Sequence, residues 1–125
     1  EEVEYALKKA LQEMPAEVIE FHVAPQVNPS GGELPYHEWF IEFGFFPIDL
    51  EKFRQLINQA LVEKNIYYKD LMDGNILQPV KITPVARDAF RNYMKTQGKL
   101  GGQNKVPRLA DNRKIADWLS ANGIN

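Results

Sequence analysis

Apolar residues recur every three or four positions in several stretches of the chain, which is the spacing of an amphipathic helix. This spacing predicts a first helix from Val3 to Met14, which Pro15 ends, and a second helix from Leu50 to Leu61, which Asp49 can cap. It also predicts three shorter helical segments: one in residues 66–74 closed by a positive φ at Gly74, one after Pro84 closed by Gly98, and one from Asn112 closed by Gly123.

Three other segments are rich in β-branched and aromatic residues and predict strands. Residues 17–23 predict the first strand and residues 36–45 the strongest one. The predicted apolar face of that strand consists of Trp39, Ile41, Phe43 and Phe45. Residues 77–85 predict a third strand at an edge of the sheet, because Pro79 cannot donate a hydrogen bond to a neighbour. Residues 24–35 hold three prolines and two glycines, and we expect neither strand nor helix there.

The order of these elements predicts an α+β fold, in which helices cover a small mixed sheet of three to four strands. The length of 125 residues fits a single domain, and 44% hydrophobic residues suffice for a folded core. No apolar run is long enough to span a membrane, and the absence of cysteine favours a reducing compartment, so we expect a soluble cytoplasmic protein. The chain starts at Glu1 without methionine, and we expect it to be part of a longer polypeptide.

Charge is distributed unevenly along the chain. Residues 1–86 carry seven basic and fourteen acidic side chains, whereas residues 87–114 carry eight basic and two acidic ones. Arg87, Arg91 and Lys95 recur every four residues, which predicts a line of positive charge along one helix. Such a local excess favours binding of phosphate or carboxylate groups. The net charge of −2 argues against a nucleic-acid partner, since proteins that bind nucleic acid are basic over the whole domain.

The segment GKLGGQNKVPR, residues 98–108, combines glycine, amides and fixed positive charge. Glycines allow a ligand to approach the backbone closely, while Pro107 restricts both its own φ and the conformation of Val106. Lys105 and Arg108 could therefore hold two anionic groups on a stiff piece of chain. An anion-binding loop and a solvated turn remain equally good interpretations at this point. The segment lacks the G-x-x-x-x-G-K-[ST] spacing of a phosphate-binding P-loop.

Other kinds of site find little support in the sequence. His22 and His37 lie in separate strands without metal-ligand spacing, so we expect no metal site and interpret both as histidines of the sheet. Neither Ser30 nor Ser120 has glycines on both sides at the G-x-S-x-G spacing of a hydrolase nucleophile.

The strand HEWFIEF (37–43), the helix LEKFRQLINQALVEKNIYYKDLM (50–72) and the loop GKLGGQNKVPR occur in an order that resembles a known family. This order is similar to that of the C-terminal domain of the auxin-responsive promoter family of acyl-acid amido synthetases, which are adenylate-forming enzymes. The wording of LGGQ and KVPR resembles the bacterial branch more than the plant branch, where tyrosine usually stands at the position of Asn104.

The resemblance implies that residues 1–125 form the mobile lid domain of a ligase whose N-terminal domain binds ATP, Mg²⁺ and the acyl acid. A carboxylate then attacks the α-phosphate of ATP, and an amine takes the acyl group from the resulting acyl-adenylate. The resemblance implies Lys105 as the catalytic residue and Gln103 and Arg108 as residues that bind substrate or nucleotide, while Asn104 receives no role. The domain alone would bind no cofactor and would be inactive, because the ATP-binding motifs lie in the other domain.

A second hypothesis stays open beside this one. The chain could be a free-standing α+β module that binds an anionic small molecule or a protein partner. The two hypotheses differ in whether further coding sequence precedes Glu1.

Overall fold

A computed structural model describes residues 2–99 and 105–124 of the chain. Its elements, in chain order, are α1 (Glu2–Glu13), β1 (Glu17–Gln26), a 3₁₀ turn (Ser30–Gly32), β2 (Tyr36–Phe45), α2 (Leu50–Lys64), α3 (Ile66–Asp73), β3 (Lys81–Pro84), α4 (Ala89–Thr96) and α5 (Lys114–Asn122). The predicted α1 and α2 are confirmed, and the carboxylate of Asp49 caps α2 by accepting the N–H of Lys52 at 3.0 Å. No helix among the described residues is long and apolar enough to cross a membrane.

The described strands form one mixed sheet in the order β1-β2-β3. β1 pairs with β2 in antiparallel fashion, with Phe21 opposite Ile41, and β2 pairs with β3 in parallel, with Trp39 opposite Ile82. The long β2 is therefore central, because it lies between two edge strands. The predicted α+β fold with a small mixed sheet is confirmed, and so is the edge position of the third strand.

Hydrophobic clusters cover both faces of the sheet. On one face Trp39 and Ile41 pack with α1 and α2, including Phe53 and Ile57 of α2. On the other face Phe40 and Ala24 pack with α4 and α5 and with Val106; the α4 and α5 residues are Ala89, Phe90, Tyr93, Ala116 and Leu119. Because successive strand residues point to opposite faces, β2 supplies side chains to both cores. This arrangement also buries Glu42, which is 3% exposed.

The prediction that residues 24–35 hold no ladder is wrong for the first three of them. Ala24, Pro25 and Gln26 extend β1 and pair with the start of β2. The N–H and C=O of Val23 form hydrogen bonds on the side of β1 that faces away from β2. Backbone groups point alternately to the two sides of a strand, so Pro25, two residues later, is oriented like Val23. The nitrogen of Pro25 therefore points to that outer side, where the β1–β2 ladder requires no N–H donor.

Four local predictions differ from the structure. The third strand is shorter than residues 77–85 and begins at Lys81. Asn75 rather than Gly74 takes the positive φ after α3, since φ is 56° at Asn75 and −84° at Gly74. Phe45 is 56% exposed, because the first core ends at Phe43. Arg87 does not lie on the basic helix, since α4 begins only at Ala89.

Candidate functional site

Lys105 lies at the surface beside the N-terminal part of α4. Its side chain is exposed, and among the described residues it has no ion-pair or hydrogen-bond partner. It lines an open groove of about 250 Å³ together with residues from β1, β2 and α4. The charged residues that line this groove are Arg91, Lys99 and Lys105 on the basic side and Glu20, Glu42 and Asp88 on the acidic side.

The backbone that follows Lys105 is attached to the outer edge of β1. Val106 is buried, at 5% exposure, in the second hydrophobic cluster. The N–H of Val23 donates to the carbonyl of Arg108, and the N–H of Ala110 donates to the carbonyl of Val23, both at 2.9 Å. A parallel bridge between Val23 and Leu109 results. The exposed lysine therefore extends from a segment that side-chain packing and backbone hydrogen bonds hold in place.

Arg108 is engaged within the domain, unlike Lys105. Its Nε lies 3.0 Å from the carboxylate of Glu20, its Nη1 lies 3.6 Å from that of Glu4, and its guanidinium lies 4.7 Å from the centre of the Phe21 ring. The side chain remains 39% exposed. In this arrangement Arg108 fastens the segment to β1 and α1, and it would have to leave these partners to contact a ligand.

His22 is a functional candidate that the sequence did not reveal. Its side chain is fully buried in β1, and its Nδ1 lies 2.6 Å from the carbonyl oxygen of Pro107. Because a carbonyl can only accept a hydrogen bond, Nδ1 carries the proton, and the buried Nε2 has no partner among the described residues. Burial lowers the pKa of His22, so the neutral ring is favoured. No sequence signal links His22 to Pro107, which is 85 residues away.

Two acidic residues of the groove already serve local contacts. Glu20 pairs with Arg108, and Glu42 accepts the backbone N–H of Asp88 at 2.9 Å. These contacts take up negative charge that would otherwise face Lys105. The predicted ligand-binding residue Gln103, like its neighbour Asn104, lies outside the residues that the structure describes.

Titratable residues do not gather into a candidate metal centre in the described ranges, where no group of three His, Asp or Glu side chains could hold an ion. His37 lies on β2 and stacks on the ring of Tyr68 with a centroid distance of 5.9 Å. Burial lowers the pKa of His37 and raises that of Tyr68. These two rings contribute to packing at the far side of the sheet from α4.

The fold and the groove together define a small α+β domain that presents a lysine on an anchored segment next to a basic helix. The model of the GH3 family C-terminal domain matches residues 1–114, and the chain therefore belongs to this family. The resemblance noted from the sequence is confirmed at this level. A search of curated proteins gave no match.

Solved structures with a similar fold include two acyl acid amido synthetases. One is AtGH3.15 acyl acid amido synthetase in complex with 2,4-DB, with a TM-score of 0.74 and 20% identity over 99% of this chain. The other is GH3.15 acyl acid amido synthetase, with a TM-score of 0.76 and 19% identity over 99% of this chain. The chain spans only 24% and 23% of the length of these proteins.

Proposed function

We propose that this chain is the C-terminal mobile domain of an ATP-dependent acyl-acid amido synthetase and that Lys105 enters the adenylation site of an N-terminal domain in the same polypeptide. ATP and Mg²⁺ bind in that N-terminal domain. The acyl carboxylate attacks the α-phosphate of ATP, pyrophosphate leaves, and an amine then displaces AMP from the acyl-adenylate. The cytoplasm as location and the bacterial branch of the family, which rests on LGGQ and KVPR, are parts of the same proposal.

Family membership and the names of the two similar structures support the kind of reaction. Lys105 is proposed as the catalytic residue because its ion pairing differs from that of Arg108. Lys105 is exposed and has no partner in the described part of the chain, whereas Arg108 is paired with Glu20 and Glu4. A free ammonium group can meet an external anion without first breaking an ion pair. Its anchored backbone limits the conformational freedom that would be lost on binding.

The charge of Lys105 suits the first half-reaction. A carboxylate and an α-phosphate are both anionic and repel each other as they approach. A cation between them offsets this repulsion and stabilises the charge that develops on the phosphate oxygens in the transition state. Lysine is suitable because its ammonium is a compact charge with three donors that can contact both groups at once.

The test uses the full-length enzyme and measures exchange of pyrophosphate into ATP in the presence of the acyl acid. We expect Lys105→Ala to lower the exchange rate by about 10² or more, because loss of one transition-state charge contact has effects of this order. Lys114→Ala is the matched control, since it removes an exposed lysine and the same charge from α5. Exchange within about threefold of wild type for Lys105→Ala would refute the assigned role.

A second observation separates this proposal from a free-standing binding module. The ligase requires some hundreds of codons upstream of Glu1 in the same reading frame, whereas the module requires a stop codon and a start site there. A short open reading frame would therefore overturn the proposal without any enzyme assay.

A further inference from the structure

We infer that His22 is a positioning residue that holds the segment bearing Lys105 through its hydrogen bond to the carbonyl of Pro107. The effect of His22 on catalysis rests on the proposed function. The attachment of the segment to β1 stands on the geometry alone.

His22 holds the segment closer to Lys105 than the other attachments do. The hydrogen bonds of Val23 fix Arg108 and Ala110, which lie three and five residues after Lys105. The bond from His22 to Pro107 lies closer, at two residues from the lysine, and at 2.6 Å it is shorter than either of the others. Pro107 has no N–H, so its carbonyl is the only backbone group through which that residue can be tied to the sheet.

The backbone between Pro107 and Lys105 has little conformational freedom. The ring of Pro107 fixes its own φ and confines Val106 to extended conformations. Val106 is also buried in the second core. With so few free torsions between them, a shift of the Pro107 carbonyl moves the Cα of Lys105 with it. A misplacement of about 1 Å in a reacting group can lower a rate up to about 10²-fold.

The buried position of His22 would suit an apolar side chain. On the same face of the sheet, Ala24 of β1 and Phe40, which lies opposite His22 on β2, are buried and apolar. Within residues 2–99 and 105–124, Nε2 of His22 has no hydrogen-bond partner, and an unpaired buried nitrogen destabilises the folded state. A leucine would fill the site without this unfavourable term. Packing alone therefore does not explain a histidine at this position, whereas its hydrogen bond to the carbonyl of Pro107 does.

The test compares His22→Leu and His22→Asn in the full-length enzyme. Leucine fills space but removes the donor, whereas the side-chain amide of asparagine places an N–H near the position of Nδ1. Ile57→Val is the control, because Ile57 is fully buried in the first core on the other face of the sheet and does not contact the segment. Hydrogen exchange of the Ala110 amide reports on the attachment, and pyrophosphate exchange reports on catalysis.

We expect His22→Leu to speed exchange of the Ala110 amide by about tenfold or more, since local opening governs this rate. The kcat of pyrophosphate exchange should fall by about 10- to 10²-fold while KM for ATP stays within about threefold, because a misplaced lysine weakens the transition state more than the bound substrate. His22→Asn should restore both values towards wild type, and Ile57→Val should change neither.

Normal amide exchange in His22→Leu would overturn the attachment. Faster amide exchange with an unchanged kcat would overturn the positioning role, as would a fall in kcat that Ile57→Val reproduces. Should Lys105→Ala leave pyrophosphate exchange intact, the proposed function fails together with the positioning role. The amide exchange of His22→Leu would still decide whether His22 holds the segment.

Discussion

The hydrogen bond between Glu42 and the backbone of Asp88 should contribute measurably to stability. Glu42 is 3% exposed, and its Oε2 accepts the N–H of Asp88 at 2.9 Å. Asp88 precedes α4 with a φ of 68° and forms no side-chain cap, so the carboxylate of Glu42 fixes the residue at which the chain enters this helix. Glu42→Ala leaves a partly buried N–H without an acceptor, which costs about 1 to 3 kcal/mol.

The expected loss for Glu42→Ala is therefore about 2 kcal/mol in the free energy of unfolding. For 125 residues this corresponds to a fall in Tm of about 8 °C, from an unfolding entropy of about 2.1 cal/mol/K per residue. Glu42→Gln keeps a side-chain oxygen and should lose less than about 1 kcal/mol. Glu13→Ala, at an exposed position of α1, should stay within about 0.5 kcal/mol of wild type.

Urea titration followed by circular dichroism measures these differences, and a thermal scan checks the change in Tm. A loss below about 0.5 kcal/mol in Glu42→Ala would refute the reasoning. Equal losses in Glu42→Gln and Glu42→Ala would also refute it, because the charge rather than the hydrogen bond would then be the stabilising feature.

Three further predictions concern other described residues. Burial lowers the folded-state pKa of His22 and His37 below the ordinary 6.5, so the folded state binds fewer protons than the unfolded state. Their contribution to the free energy of unfolding should be constant well above pH 6.5 and fall as the pH drops towards about 5. A flat profile in urea titrations across this range would contradict the prediction. Val106→Ala removes two methyl carbons from a buried site and should cost about 2 kcal/mol in the same titration, with a value near zero counting against its burial. Gly98→Ala should cost about 1 kcal/mol because φ is 69° there, although no atom of the described residues lies within 4 Å of the added Cβ. A neutral result in the urea titration would show that the turn relaxes.

Much of the fold could be predicted because it depends on local patterns. Helices α1 and α2 follow from apolar spacing, and the central strand follows from its aromatic and β-branched residues. The errors arise where a distant partner decides the outcome. Pro25 stays in β1 because its nitrogen points away from β2, and Phe45 is exposed because the first core ends at Phe43. Neither relationship is visible in a window of neighbouring residues.

The candidate site, too, could be predicted from the sequence only in part. Lys105 and Arg108 could be selected from composition and spacing, since lysine, arginine and proline lie within four consecutive positions. The ion pairs of Arg108 could not be predicted, because its partners Glu4 and Glu20 lie in the first fifth of the chain. The contact of His22 with Pro107 likewise depends on the docking of residues 106–110 against the outer edge of β1.

The groove beside Lys105 is not simply a basic surface, because three acidic residues line it with three basic ones. What matters for an incoming anion is which charges remain available. Arg108 forms an ion pair with Glu20, and the N–H of Asp88 donates a hydrogen bond to one oxygen of Glu42. The basic side chains Arg91, Lys99 and Lys105 are exposed. The ion pair thus offsets the negative charge of Glu20, and the exposed carboxylate of Asp88 remains beside the three basic side chains of the groove. Arg108→Gln removes this ion pair and leaves the charge of Glu20 uncompensated, so it should weaken anion binding at Lys105.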